Sequence, residues 1–272
     1  MAEFRSEIIA GINMDYFVWN IEPVAITVGF ATIRWYGLMF ASAFISSYLL
    51  MTWMYKREEK NTDEIDDLLT YAAVGTIVGA RLGHCLFYDP AFYFSHPLKI
   101  FAIWEGGLAS HGAILGILIA LYLFQRRVAE PYVWFLDRVS IVSALGASFI
   151  RTGNFFNSEI VGEPTRVPWA VIFQKIDLLP RHPVQLYEAL SYSLIFLLLL
   201  FMYKIRGSNI RPGVIFATFL ITVFTARFFL EFVKTKQAAY NSEFWMTTGQ
   251  MLSIPFVMAG LFYLVLPIFK KN

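Results

Sequence analysis

Charge is scarce in this sequence. Asp, Glu, Lys and Arg make up 15% of its 272 residues, against about 25% in a typical soluble domain, so 22 basic and 20 acidic side chains cannot clothe a chain of this length for water. Cysteine is nearly absent. Cys85 stands alone, which excludes an internal disulfide framework and reads as a small buried hydrophobe. The four histidines, His84, His96, His111 and His182, lack the spacing of metal ligands. No GxSxG elbow, HExxH pair or glycine-rich phosphate loop occurs, so metal and nucleotide chemistry fall away and no cofactor is expected. A net charge of +2 without a Lys/Arg-rich run or zinc-finger spacing leaves no nucleic-acid partner. The first 22 residues contain Glu3, Arg5, Glu7, Asp15 and Glu22, which argues against a cleavable leader with an apolar core, so the first membrane helix is expected to act as the export signal.

What the chain has is apolar surface. Hydrophobic residues are 57% and aromatics 18% of the total, with a mean hydropathy of +0.56. Crossing about 30 Å of hydrocarbon takes roughly 20 apolar residues. Seven stretches qualify, at 35–54, 68–88, 108–124, 132–150, 185–203, 212–232 and 247–268. The fold class expected is an all-α polytopic membrane protein of about seven transmembrane helices, a single domain over 1–272. Basic residues orient it. The links after spans one, three and five plus the C-terminal tail hold Lys56, Arg57, Lys60, Arg126, Arg127, Lys204, Arg206, Arg211, Lys270 and Lys271 in about 30 residues, three times the density of the other set. The C-terminus is therefore expected in the cytoplasm and the N-terminus outside, with 1–34, 89–107 and 151–184 external. Gly162, Pro164, Pro168, Pro180 and Pro183 forbid a long helix over 158–184, which is expected to lie on the outer membrane surface as an arm.

Ionisable groups in hydrocarbon cost about 2.5–3.5 kcal/mol each on insertion scales, so each needs a reason. At 1.5 Å per residue, Arg81 lies about 20 Å along span two from its cytoplasmic edge and Arg227 about 22 Å along span six. His111 sits about 5 Å below the external edge of span three, Tyr36 opens span one and Arg151 closes span four. The ruler brings all five to the external third of the bilayer, near the lipid phosphates. Structural readings compete at every position. Arg34 suits a snorkelling anchor, Trp35 and Tyr36 an aromatic belt, and His84 a hydrogen-bonded core residue. Arg227 and Glu231, four apart, suit an interior ion pair. Arg151, Asn154 and Ser158 fall on one helical face, fitting either a phosphate ester with polar substituents or a helix end capped by its own side chains. A second cluster, Arg181-His182-Pro183-Val184-Gln185-Leu186-Tyr187-Glu188, opens span five. Intramembrane charges also mark transport paths, and a transporter, a channel or a membrane scaffold are the alternative classes. Almost purely apolar cytoplasmic halves in spans one, three, five and seven favour a one-sided site.

Taken in order, these residues resemble the bacterial prolipoprotein diacylglyceryl transferase family. The resemblance rests on Arg34-Trp35-Tyr36-Gly37-Leu38-Met39, Gly79-Ala80-Arg81-Leu82-Gly83, Trp104-Glu105-Gly106-Gly107 with His111-Gly112, the stretch Arg151 to Gly162, Arg181 to Glu188, Arg227 to Glu231, and Gly249-Gln250-Met251-Leu252-Ser253-Ile254-Pro255. Ile150 and Ser158 stand where the family signature has glycines, Ala113 where Gly is common, and Val223 and Phe224 where a Tyr is frequent. The resemblance implies transfer of the diacylglyceryl group of phosphatidylglycerol to the lipobox cysteine of an exported preprolipoprotein, with glycerol phosphate released, in the bacterial inner membrane. It implies His111, Arg227 and Tyr36 as catalytic residues. Arg151, Asn154, Asn157, Glu159, Gly162, Arg81, Glu231 and His182 would bind phosphatidylglycerol. The bilayer is the third partner, and a monomer is the expected state.

Overall fold

The computed structural model describes residues 15–29, 31–103, 106–107, 109–207, 210–235 and 246–269. Glu3, Arg5, Glu7, Trp104, Glu105, Leu108, Lys270 and Lys271 lie outside the described residues. Helix dominates. The long ones are α1 (Trp35–Arg57), α2 (Glu64–Phe87), α4 (Ser110–Gln125), α5 (Tyr132–Phe156), α6 (Val184–Arg206), α7 (Val214–Leu230) and α8 (Thr248–Phe269), with a short α3 (Pro90–Ser95) after α2. Each of the seven apolar stretches is a helix. Five of these, Trp35–Arg57, Tyr132–Phe156, Val184–Ile205, Val214–Val233 and Thr248–Val265, are long and apolar enough to cross a membrane. Over α4 the apolar run His111–Gln125 is shorter, and α2 carries Glu64, Asp66 and Asp67 in its first turn.

The all-α expectation needs one amendment. Strands β1 (Phe17–Trp19), β4 (Val171–Phe173) and β5 (Pro180–Arg181) form a three-stranded sheet in the order β1-β4-β5, and β2 (Val24–Val28) pairs with β3 (Ala31–Arg34) as a hairpin. β1 runs parallel to β4 in the register Phe17↔Val171, Val18↔Ile172, Trp19↔Phe173. Prolines exclude helix from the arm as expected, but its extended backbone still needs hydrogen-bond partners. The segment before α1 supplies them. Trp19, Phe155, Val171 and Phe173 then close a small core over the end of α5.

By contacts the chain forms two compact units. One comprises 46–142 and 202–216. Here α2 and α4 meet through glycine: a Cβ on Gly75 would lie 2.6 Å from the Gly116 carbonyl, and one on Gly83 2.8 Å from Gly112 Cα. Glycines four apart on facing helices let the backbones touch, the small-residue packing of helices in lipid. The same unit holds a polar knot that the sequence reading passed over. Arg138 donates to both oxygens of Glu58 at 2.8 and 2.7 Å, and Trp134 and Tyr203 donate to that carboxylate at 2.8 and 2.7 Å. Asp137, fully buried, accepts the backbone N–H groups of Gly213 and Phe216 at the start of α7. Every charged group in the knot is hydrogen-bonded, and it reads as structural.

The other unit comprises 1–45, 143–201 and 217–272. α5 meets α6 through Ser148, whose hydroxyl lies 2.9 Å from the Ala189 carbonyl and 2.8 Å from Ser193 Oγ. α7 meets α8 where a Cβ on Gly260 would lie 2.8 Å from the Ala217 carbonyl.

Candidate functional site

The expected site residues divide between the units. Arg81 and His111 belong to the first, and the other nine to the second.

Arg81 is buried at 3% exposure. Its Nε donates to the Ile100 carbonyl at 2.8 Å, and its terminal nitrogens donate to the carbonyls of Lys99, Gly106 and Gly107. The guanidinium also lies 5.0 Å from the Tyr93 ring centre. These contacts pin the segment that leads into α4. Two glycines permit it: Gly106 and Gly107 have φ of +89° and +73°, and a Cβ on Gly107 would lie 2.6 Å from the His84 ring and 2.9 Å from Arg81. His84 is half-buried and stacks on Tyr88. The second residue of α4, His111, is exposed and has no hydrogen-bond partner among the described residues.

In the other unit α5 ends in a polar chain. Arg151 donates to Asn154 Oδ1 at 3.2 Å, Asn154 Nδ2 donates to Glu159 at 3.0 Å, and Asn157 Nδ2 donates to the other Glu159 oxygen at 3.1 Å. Two amides thus hold one carboxylate. Tyr36 packs on this helix where it lacks a side chain, since a Cβ on Gly153 would lie 3.0 Å from Tyr36 Cδ2. Ser158 ends α5 in the left-handed conformation, φ +56°, while Glu159 N–H reaches back to the Asn154 carbonyl at 2.9 Å. This is a Schellman-type stop whose left-handed residue is ordinarily glycine, which accounts for the signature glycine at that place. The Ser158 hydroxyl is buried with no hydrogen-bond partner.

Two residues outside the sequence-based site complete the cluster. Glu188, 1% exposed, lies with Oε2 2.9 Å from Arg151 Nε and Oε1 3.5 Å from Lys234 Nζ. The Arg151 contact is close but off the N–H axis, because Glu188 Oε2 makes no aligned hydrogen bond; it is an ion pair by distance. Glu188 was visible in the cluster that opens span five. Lys234 carried no sequence signal, since it follows α7 in an irregular segment.

One expected pairing fails. Glu231 and Arg227 do not form an ion pair among the described residues, because α7 ends at Leu230 and Glu231–Val233 tighten into a 3-10 turn, which removes the four-residue face. Glu231 instead lies 3.9 Å from Lys234, against Gly249, whose Cβ would meet its carboxylate at 2.6 Å. Gly162 stands where only glycine fits, a Cβ there being 2.6 Å from both the His182 carbonyl and Val184 Cγ2. His182 Nδ1 is 3.2 Å from the Tyr187 hydroxyl, to which Trp169 Nε1 donates at 2.7 Å. Partial burial lowers the His182 pKa below its usual 6.5. The arrangement sets two cationic side chains, Arg151 and Lys234, on the two oxygens of Glu188, beside amides suited to hydroxyl groups.

Residues 23–266 match the prolipoprotein diacylglyceryl transferase family. A protein of Tolumonas auensis named phosphatidylglycerol–prolipoprotein diacylglyceryl transferase is 48% identical over 254 residues, 93% of this chain and 98% of its own length. Proteins of the same name from Chloroherpeton thalassium and Porphyromonas gingivalis are 48% and 41% identical, covering 91% and 92% of this chain and 92% and 94% of their own lengths. With the match running almost end to end and through every element that bears the polar cluster, this chain belongs to the prolipoprotein diacylglyceryl transferase family.

Proposed function

We propose that this protein transfers the diacylglyceryl group of phosphatidylglycerol to the lipobox cysteine thiol of exported preprolipoproteins. The sulfur attacks the glycerol carbon that bears the phosphate, the C–O bond to phosphate breaks, a thioether forms, the thiol proton is taken up by a base, and glycerol phosphate leaves. The observation that carries the reading is the family match over 23–266, which embraces the Arg151 cluster.

A free thiol, of pKa about 8.5, is only slightly ionised at pH 7, so a base helps. His111 takes that role, supported by an imidazole that is exposed and uncommitted to any described partner. Negative charge grows on the departing phosphate, and a planar guanidinium answers it with two parallel donors. Arg151 binds the headgroup and Arg227 the leaving phosphate. The glycerol hydroxyls meet Asn154, Asn157 and Glu159, whose mutual hydrogen bonds preorganise them. Tyr36 contacts the reacting lipid, while Gly162 and His182 shape the arm beside it. Glu231 bears on the cluster through Lys234. Arg81, its donors committed to carbonyls, positions the segment carrying His111 and does not contact phosphate. The protein acts as a monomer in the bacterial cytoplasmic membrane, through seven spans, with its site towards the outer leaflet.

The test is direct: purified protein, labelled phosphatidylglycerol and a lipobox peptide should yield a thioether-linked diacylglyceryl peptide. A wild-type preparation that is folded, binds the lipid and gives no such product would overturn the reading.

A further inference from the structure

Beyond the α7 helix the chain makes a short extended return. Its backbone is fixed by two hydrogen bonds, from Glu163 N–H to the Val233 carbonyl at 2.9 Å and from Thr235 N–H to the Val161 carbonyl at 3.3 Å, which make Lys234 and Gly162 an isolated antiparallel bridge. The squeeze at Gly162, where a Cβ would be 2.6 Å from the His182 carbonyl, lets this segment close on the arm. The result delivers one ammonium group, 9% exposed, to the carboxylate already shared with Arg151.

The distances around that ammonium are long. Lys234 Nζ is 3.5 Å from Glu188 and 3.9 Å from Glu231, where a charge-assisted hydrogen bond spans about 2.7–2.9 Å. A buried ammonium with three donors and only loose contacts is under-satisfied. Glu188, by contrast, faces two cations, one on each oxygen; with Glu231 beside Lys234 the four charges balance, so an arriving phosphate competes with these carboxylates for donors that they hold only loosely.

We propose that Lys234 is a further cationic contact for the phosphate of the lipid substrate, beside Arg151 and Arg227, and that Glu188 is a positioning residue that holds Lys234 and Arg151 to either side of one anion. This rests on the transferase reading above and adds a recognition element to it. Glu188 competes with the phosphate for both cations, so the two residues act on anion affinity in opposite directions.

The experiment measures transfer kinetics and inhibition by glycerol 1-phosphate in purified full-length protein, with thermal melting of each variant alongside. Lys234→Met should raise the KM for phosphatidylglycerol and the inhibition constant of glycerol phosphate by about ten- to a hundredfold, leaving the KM for the lipobox peptide within twofold. Lys234→Arg should recover most of the loss. Glu188→Gln should lower the inhibition constant, because the competing charge is gone, while kcat falls as the cations lose their spacing. A buried structural ion pair predicts otherwise: Lys234→Met and Glu188→Gln would both melt earlier and shift inhibition alike or not at all, and that outcome overturns the proposal. If Lys234→Met does not fold, the opposite shift in Glu188→Gln and the retained affinity of Lys234→Arg decide it. Absence of transfer by the wild-type protein would instead strike the underlying reading.

Discussion

Arg151 is the residue on which most of the cluster converges: it touches Glu188 and Asn154 and remains 18% exposed at the side chain. Lysine at that place keeps the charge but loses the fork, so it can hold Glu188 or an anion and not both in one plane. Arg151→Lys should insert and melt like the wild type yet lose about ten- to a hundredfold in transfer rate, one charge-assisted hydrogen bond; wild-type turnover would reduce Arg151 to an anchor. For His111 the expectation is larger. Glutamine preserves polarity without a proton to exchange, and His111→Gln should bind phosphatidylglycerol normally while losing about 10² to 10⁴ in rate at neutral pH. Raising the pH towards about 9 should restore part of that rate as the peptide thiol ionises unaided. Near-normal turnover at pH 7 would assign the imidazole to orientation alone.

Among the elements, the end of α5 carries the clearest strain. Ser158 adopts φ +56° with its hydroxyl buried and unpartnered, a conformation that costs a non-glycine residue about 1 kcal/mol. Ser158→Gly should stabilise the protein by about that amount, read as a rise in melting temperature, with transfer unchanged. A melting temperature that falls would show that the hydroxyl has a partner the geometry does not reveal. Helix spans were legible because apolar length is a local property, and α1, α5, α6 and α8 begin or end within a few residues of expectation. The arm was legible as irregular from its prolines. Its pairing with Phe17–Trp19 was not, because a parallel strand contact across about 150 residues leaves no local signature. The glycine seam between α2 and α4 was written in Gly75, Gly79, Gly83, Gly112 and Gly116, and its meaning depends on which helix faces which.

At the scale of the molecule, the basic residues that flank the helices predict an orientation with the C-terminus in the cytoplasm. In a Cys85→Ser background, cysteines placed at Asp63 and Leu178, both exposed, should differ: a membrane-impermeant maleimide added to intact spheroplasts should label only the Leu178→Cys protein. Labelling of Asp63→Cys alone would invert the topology and put the Arg151 cluster on the cytoplasmic side.

Composition and periodicity by themselves determined that this chain is helical and apolar, and its spaced motifs pointed to the family and to most of the polar groups, because those traits reside in residue type and short spacing. Tertiary structure decided how the charges pair. Arg227 and Glu231 were neighbours on an ideal helix, and the 3-10 turn at Glu231 separated them. Arg81 had the depth of a phosphate ligand, and folding turned its guanidinium onto carbonyls of the segment before α4. Lys234 had no motif, and closure of its strand on Gly162 brought it to Glu188. In each case the partner lies far off in sequence or past a break in the helix, where no residue spacing reaches and only packing can choose.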